Sequence, residues 1–319
     1  MSTLLLRHSD VVRNLQSLTL LSDLREAFRT DALARTVAPQ WARALLHAEG
    51  STSVLFPGSL PGVPAYSVKV QARFSPPGSS VQSVLQLHDL ASGGLLALMD
   101  SAHLTHVRDG VLGALAADVL ARPEASRVAF LGAGPQAALH LKSLRLVRTL
   151  RQAFVYDPDV TLAAAFASRM YQQLSLPVRM AGSVQEAVEE ADLVVVMNAS
   201  RLSALQPELL RPGMHVTVLS TEESGKVELA PALVRRTTFV CDHRGQALSG
   251  GLRSAGLSEE SIHAELGEII AGLRPGRTSP EQLTLFAGVG LPFQDLAAAW
   301  HIYQAALGDE DVQRLDFGT

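Results

Sequence analysis

The stretch that decides the fold is Arg127-Val-Ala-Phe-Leu-Gly132-Ala-Gly134-Pro-Gln-Ala137. It predicts a strand, a tight turn and a helix, and a second apolar run, Ala153–Tyr156, ends beside an acid, Asp157. This arrangement is typical of a site that holds a dinucleotide pyrophosphate. Gly132 permits the turn, Gly134 lets the backbone approach the phosphates, and the helix N-terminus faces the anion. The glycine string alone also suits an ordinary strand-to-helix turn. The acid at the end of the second strand favours a dinucleotide site over such a turn.

Asp157 indicates which dinucleotide this turn would hold. It lies 25 positions (157 − 132) after Gly132, close to the offset of roughly 20 residues expected for a carboxylate that accepts both ribose hydroxyls. A 2′-phosphate would be repelled there, and Pro158 and Asp159 follow instead of an arginine. We therefore expect NAD, with NADP as the alternative because Arg151 lies just upstream.

The composition of the 319-residue chain argues against several classes of function. With 27 Lys+Arg against 31 Asp+Glu and 5% aromatic residues, neither a basic surface nor a base-stacking platform is expected, so nucleic acid is not an expected partner. The single cysteine, Cys241, cannot form an intramolecular disulfide and fits a reducing compartment. No apolar run approaches the roughly 18 residues of a membrane span, and we expect a cytoplasmic protein. No cysteine or histidine motif predicts a metal site.

Residues 1–118, completed by residues 293–319, are expected to form an α+β domain. Alternating apolar and polar residues predict an antiparallel sheet there, with strands at Ala65–Phe74, Ser80–Leu87 and Ala97–Asp100. Proline and glycine predict turns, at Phe56–Gly58, Leu60–Gly62 and Ser75–Gly78. A helix predicted over Phe293–Leu307 has an apolar stripe that would pack back onto this domain.

Residues 119–292 are expected to form a second domain, a Rossmann-type doubly wound parallel sheet of the α/β class. A predicted helix, Leu104–Leu120, leads into it, and apolar runs then alternate with helical stretches as in successive βαβ units. The predicted strands are Val128–Leu131, Ala153–Tyr156, Val178–Ala181, Leu193–Met197 and His215–Leu219, with Thr238–Cys241 and Leu283–Phe286 as further candidates.

Several short motifs between about Val37 and Leu307 occur in the order found in one known family. They are Pro39–Arg43, Tyr66–Val70, Ala97–Asp100, Leu104–Arg108, Gly132–Gln136, Gly225–Leu229, Glu265–Arg277 and Gly290–Ala299. On these motifs the chain resembles the ornithine cyclodeaminase/mu-crystallin family. The resemblance implies an NAD(P)-dependent enzyme that acts at the carbon–nitrogen bond α to a carboxylate. It also implies a homodimer joined through the first domain, which would bind the substrate.

The resemblance implies a basic substrate site. Lys69 and Arg108 match family contacts to the substrate carboxylate, and Arg43 matches a third. A guanidinium can grip a carboxylate through two parallel hydrogen bonds, and a desolvated lysine could also transfer a proton. Without the resemblance, an edge-strand lysine and a solvated helix arginine would be the simpler explanations of Lys69 and Arg108.

Glu222 aligns with the family's catalytic aspartate, which acts as acid and base. Its extra methylene displaces the carboxylate by about 1 Å, and misplacement on that scale can cost roughly a hundredfold in rate. A solvated loop acid is the alternative role. The cofactor contacts that the turn and the resemblance together imply are Gly132, Ala133, Gly134, Pro135, Gln136, Asp157, Asn198 and Gly290.

Two further departures from the family pattern leave the substrate open. Asp109 follows Arg108 and would either weaken anion binding or pair with the arginine, and Phe286-Ala287-Gly288 replaces the usual lysine and serine of that loop. The favoured activity is that of an imino acid (ketimine) reductase or amino acid dehydrogenase. One alternative is ornithine cyclodeaminase, a lyase that forms proline and ammonia with catalytic NAD. The other is a non-catalytic protein that binds NAD(P)H or a small ligand.

Overall fold

The computed structural model describes residues 2–34, 41–46, 51–74, 82–197, 205–219, 231–248 and 256–317, with the backbone alone at positions 43, 44 and 73. The chain divides into two compact units. The first unit is Met1–Arg108 with Gly290–Thr319, and the second unit is Asp109–Val289. Within the described ranges, no helix is both long and apolar enough to cross a membrane.

A seven-stranded sheet forms the centre of the first unit. Its strands are β1 (Thr3–Leu6), β2 (Ala42–Leu45), β3 (Thr52–Ser59), β4 (Ala65–Arg73), β5 (Gln82–Asp89), β6 (Leu95–Asp100) and β15 (Gln313–Leu315). Strands β2 to β6 pair antiparallel in chain order, which confirms the predicted antiparallel sheet. Strand β1 pairs parallel with β6 and antiparallel with β15, so both ends of the chain join this sheet.

Helices cover this sheet. They are α1 (His8–Asn14), α2 (Ser17–Ala34) and the C-terminal α10 (Pro292–Ala306), and α10 contacts α2, β3 and β4. The apolar face of α2 is buried, and Phe28 meets Phe293 of α10 edge to face at 5.2 Å. The predicted return of the C-terminal helix to the first sheet is therefore confirmed. Helix α3 (Ala102–Leu120) contains the boundary between the two units.

The turn predicted at Phe56–Gly58 is wrong, because these residues lie inside strand β3. Among the described residues, the pairing of β2 with β3 ends at Leu55, so Pro57 faces no described strand on that side, a position where proline is tolerated. Gly58 is needed for close packing, since a Cβ there would overlap the carbonyl oxygen of Pro292. The turn at Leu60–Gly62 is confirmed, with φ +85° at its glycine. The turn predicted at Ser75–Gly78 lies outside the described residues.

An eight-stranded parallel sheet forms the second unit, in the order β13-β12-β14-β11-β10-β7-β8-β9. Its strands are β7 (Arg127–Leu131), β8 (Gln152–Tyr156), β9 (Val178–Met180), β10 (Leu193–Val196), β11 (His215–Leu219), β12 (Thr238–Cys241), β13 (Ala264–Glu265) and β14 (Thr284–Gly288). Every neighbouring pair is parallel, which confirms the predicted Rossmann-type sheet. Strand β14 inserts between β11 and β12, an order that the sequence pattern did not predict.

The winding of this sheet reverses beside β7, which lies between β8 and β10. The helices of the unit are α4 (Pro135–Val147), α5 (Val160–Leu174), α6 (Val184–Glu189), α7 (Pro231–Arg236), α8 (Arg244–Ala247) and α9 (Leu266–Ile270). Two separate apolar clusters pack against the strands, which explains why the strands read as continuous apolar runs. In open parallel sheets, ligands bind at the carboxyl ends of the strands where the winding reverses.

Two buried histidines lie in the second unit. The ring nitrogens of His215 lie 2.9 Å from Thr284 Oγ1 and 3.0 Å from Thr217 Oγ1. The ring of His140 packs against helix α3 so closely that a Cβ on Gly113 would overlap it. Burial lowers the pKa of each histidine to about 3. Both imidazoles are therefore neutral at physiological pH.

Candidate functional site

One carboxylate in the first unit holds two of the three predicted substrate-binding cations. Lys69 Nζ lies 2.7 Å from Asp295 Oδ2. Arg108 donates to the other oxygen, Oδ1, from Nε at 3.1 Å and from Nη2 at 2.8 Å. All three residues are at most 4% exposed. We call Lys69, Arg108 and Asp295 the basic cluster.

Three elements far apart in the sequence supply the basic cluster. Lys69 comes from β4, Arg108 from the second turn of α3, and Asp295 from the first turn of α10. The ammonium group of Lys69 also lies 4.7 Å from the centre of the Phe56 ring, a favourable cation–π distance. Gly290, with φ +81°, leaves room for the guanidinium, because a Cβ there would lie 2.6 Å from Arg108 Nη1.

The electrostatics of the basic cluster favour an anionic ligand. Burial opposes ionisation of Asp295, but the charges and hydrogen bonds of Arg108 and Lys69 outweigh it, so the pKa of this carboxyl lies below its usual range. With Asp295 ionised, the three side chains together carry a formal charge of +1. Such a group can accept a carboxylate through charge-assisted hydrogen bonds. The arrangement is chemically suited to a carboxylate.

Gln294 adds a neutral polar group next to the basic cluster. Its Oε1 accepts a hydrogen bond from Arg108 Nη1 at 3.2 Å. Its Nε2 is buried and has no hydrogen-bond acceptor among the described residues. A buried donor without an acceptor costs about 1–3 kcal/mol. A ligand that supplied an acceptor there would remove this cost, and its complex with the protein would be more stable.

The glycine turn of the second unit has the geometry of an anion site. Gly132, at φ +121°, donates its N–H to the carbonyl of Tyr156 at 2.9 Å, which closes the turn after β7 onto β8. Gly134 caps α4 and Pro135 occupies its first turn, and no side chain caps the helix. The N–H groups at this helix start can therefore receive phosphate oxygens. A Cβ on Gly134 would meet no atom within 4 Å, so space is open beside it.

Asp157 is tied to this turn. One carboxylate oxygen accepts from the backbone N–H of Ala133 at 2.9 Å, and the other accepts from that of Asp159 at 3.0 Å. The residue is 6% exposed. The acid predicted to bind ribose therefore also fixes the backbone of the glycine turn, a role that the sequence pattern did not predict.

Of the remaining predicted residues, Gln136 is described with its side chain, whereas the side chains of Arg43, Asn198 and Glu222 are not described. Gln136 donates from Nε2 to Asp109 Oδ2 at 3.1 Å, so the acid that follows Arg108 in the sequence bonds to the predicted phosphate contact. The backbone of Arg43 lies in β2, but its side chain is outside the description. Asn198 and Glu222 also lie outside the described residues.

In the part of the chain that is described, no group of three or more histidine, cysteine or acidic residues could hold a metal ion.

Sequence reasoning assigned no role to Asp295 or Gln294. A usable signal exists in the sequence, because both interrupt the apolar run from Leu291 to Trp300. In the structure they are 2% and 0% exposed, respectively. Buried carboxylates are rare unless they are paired. An acid on the buried side of an apolar helix therefore indicates a buried cation nearby.

The comparisons with known proteins identify the family of this chain. The model of the ornithine cyclodeaminase/mu-crystallin family matches residues 1–310. The chain therefore belongs to this family, and the resemblance seen in its motifs is confirmed.

Individual relatives match over nearly the whole chain. An alanine dehydrogenase of Archaeoglobus fulgidus is 31% identical, and the match covers 99% of each chain. The solved structure of Thermococcus litoralis Δ1-pyrroline-2-carboxylate reductase, in complex with NADH and L-proline, is 27% identical with a TM-score of 0.91, covering 98% of this chain and 99% of that one. An archaeal alanine dehydrogenase dimer with bound NAD is 27% identical with a TM-score of 0.90, covering 100% of both chains.

Proposed function

We propose that this protein is an NAD-dependent oxidoreductase that interconverts an imino acid, or a 2-oxo acid plus an amine, with the corresponding amino acid. The observation that carries the proposal is the buried pairing of Lys69 and Arg108 on Asp295. The relatives described above are a reductase of a cyclic imino acid and an alanine dehydrogenase. The substrate of each carries a carboxylate next to the reacting carbon, and a carboxylate is the kind of ligand that this cluster can accept.

Each unit would supply one part of the chemistry. Lys69 and Arg108 would hold the substrate carboxylate, with Arg43 as a third contact. Binding a carboxylate at two fixed cations orients the adjacent carbon, which lowers the entropic cost of reaction. Glu222 and Lys69 are the proposed proton donors and acceptors at the substrate nitrogen.

The cofactor would lie on the glycine turn of the second unit. Residues 132–136 would receive the pyrophosphate, and Asp157 would accept the ribose hydroxyls and favour NAD over NADP. We assign Asn198 and Gly290 as further cofactor contacts. When bound, NAD(H) supplies or accepts the hydride at the α carbon. We further propose a homodimer, as in the archaeal alanine dehydrogenase.

A substrate panel tests this function. NADH consumption is followed with pyruvate plus ammonia, pyruvate plus methylamine, Δ1-pyrroline-2-carboxylate and Δ1-piperideine-2-carboxylate, and NADPH serves as the comparison cofactor. We expect turnover with at least one compound and faster turnover with NADH. An unchanged nicotinamide absorbance across the panel, with protein shown to bind NADH, would contradict the proposal. Formation of proline and ammonia from ornithine without net NADH would instead establish the cyclodeaminase reaction.

A further inference from the structure

Asp295 organises the basic cluster. Its two oxygens are divided between the cations, one to Lys69 and the other to Arg108. Arg108 directs both Nε and Nη2 at Oδ1, and this two-point contact fixes the plane of the guanidinium as well as its position. The spacing of the two cations is therefore set by the width of one carboxylate.

The position of Asp295 in the fold makes this spacing rigid. It lies in the first turn of α10, and this helix packs on strands β3 and β4. Strand β4 carries Lys69. Gly290, just before the helix, has no side chain to displace the guanidinium. Gln294 takes up a third donor of Arg108, Nη1, at 3.2 Å. Residues 290–295 thus form a single support for both cations.

We propose that Asp295 is a positioning residue that sets the spacing of Lys69 and Arg108 and holds the formal charge of these three side chains at +1, so that the basic cluster favours a substrate with one carboxylate over a dicarboxylate. This inference rests on the proposed function, because it assumes that the two cations bind the substrate. Asp295 acts through them and does not itself contact the substrate.

The substitution Asp295→Asn separates spacing from packing. The amide has nearly the same shape, but it presents one oxygen and one N–H group where the carboxylate presents two acceptors. Whichever way the amide is oriented, one of the two cations faces a donor and is released. The formal charge of the three side chains rises from +1 to +2.

The chain offers a matched control in Asp10, which lies in the same unit. Its carboxylate is also buried and also bridges two cations, Arg7 at 3.0 Å and Arg13 at 3.0 Å. The substitution Asp10→Asn therefore makes the same change in charge elsewhere in the first unit, at cations whose side chains are 60% and 44% exposed. A merely structural role for Asp295 predicts that Asp295→Asn, like Asp10→Asn, lowers stability without changing kcat per NADH-binding site or the anion preference.

The experiment compares wild type, Asp295→Asn, Asp295→Glu and Asp10→Asn, with rates expressed per NADH-binding site. For Asp295→Asn we expect kcat to fall by about a hundredfold, since displacement of a bound group by about 1 Å has that effect, with unchanged NADH affinity. We also expect malonate to gain affinity relative to propionate by about tenfold, because the site carries one more positive charge. Asp10→Asn should keep the wild-type kcat and anion preference.

Asp295→Glu keeps the charge and changes the spacing, so it should show reduced kcat with the wild-type anion preference. It also provides the kcat test if Asp295→Asn does not fold. Wild-type kcat in both Asp295 variants, or equal losses in Asp10→Asn, would overturn the inference. Anion affinities are measured by calorimetry without turnover. If wild type turns over no substrate while the anion preference still shifts as expected, the proposed function fails and the role of Asp295 in setting the charge stands.

Discussion

The glycine turn of the second unit and the basic cluster of the first are built in different ways. The turn comes from one continuous stretch, residues 132–137, and its geometry depends on backbone angles and on the start of α4. The cluster joins Lys69, Arg108 and Asp295, and the Arg108–Asp295 contact spans 187 positions. Local backbone geometry leaves a pattern in neighbouring residues, whereas a buried ion cluster depends on how distant elements pack.

The two regions also differ in what substitution removes. A substitution of a glycine in the turn adds a side chain, which either strains the backbone or blocks the approach of the ligand. A change in the cluster leaves a buried charge without its partner, and breaking a buried pair in this way costs about 3–5 kcal/mol. Substitutions in the two regions should therefore affect different ligands and differ in their cost to folding.

The largest effect is expected from Arg108→Ala. The substrate loses its bidentate anchor, and Asp295 loses the partner of Oδ1, so kcat/KM should fall by at least about a thousandfold. The free energy of unfolding should fall by about 3–5 kcal/mol. NADH affinity should not change.

Steady-state kinetics, NADH titration and urea unfolding measure the three quantities. Arg29→Ala is the matched control, because Arg29 forms an exposed ion pair with Glu26 in the same unit. It should leave stability nearly unchanged, because solvent screens an exposed ion pair. A wild-type KM in Arg108→Ala would mean that the cluster does not bind the substrate.

The next largest effect is expected from Gly134→Ala. The added Cβ meets no atom within 4 Å and φ is an ordinary −67°, so the fold should be unaffected. If the pyrophosphate passes close to the backbone here, the methyl group blocks it, and the NADH Kd should rise at least about tenfold.

Gly132→Ala is the informative partner variant. Its φ of +121° and a Cβ placed 3.1 Å from that of Met197 predict a loss of stability of about 1–3 kcal/mol. Fluorescence titration with NADH and thermal unfolding distinguish the two variants. Unchanged NADH affinity in Gly134→Ala would place the cofactor elsewhere.

Acid should destabilise the second unit first. His140 and His215 have pKa values of about 3 in the folded chain against about 6.5 when unfolded. The unfolded chain therefore takes up protons first, and stability is lost as the pH falls from about 6.5 towards 3. At pH 5 each histidine should cost about 2 kcal/mol.

Urea unfolding at pH 7.5 and pH 5 measures this loss, and His140→Leu should remove about half of it. The acids of the first unit behave differently, because the pKa values of Asp10 and Asp295 are lowered and their stabilisation persists down to about pH 4. Stability independent of pH between 7.5 and 5 would contradict the neutral burial of both imidazoles.

The smallest effect is expected from Asp157→Asn. The amide oxygen can still accept from Ala133, so the turn should persist with the Asp159 hydrogen bond lost, and the charge that repels a 2′-phosphate is removed. The ratio of NADPH to NADH affinity should therefore rise about tenfold. Titration with both nucleotides tests this, and an unchanged ratio would remove Asp157 from the cofactor preference.

The predictions from sequence succeeded where the physics is local. The glycine turn, the parallel strands and the C-terminal helix each leave a periodic or positional pattern in neighbouring residues. The Phe56–Gly58 turn was wrong because Gly58 is required by α10, more than 200 positions away in the chain. Asp295 interrupts an apolar run, which indicates a buried cation nearby, but the cations themselves lie in β4 and α3 and were not identifiable from that run. Contacts of this range are decided by packing, which a local pattern does not contain.

The most direct test of this division of roles is a crossed titration of Arg108→Ala and Gly134→Ala with NADH and, at saturating NADH, with L-proline and propionate. Our account predicts that Arg108→Ala binds NADH normally and loses affinity for the carboxylates, whereas Gly134→Ala loses affinity for NADH. Loss of NADH affinity in Arg108→Ala, or carboxylate affinity unchanged in it, would contradict the account.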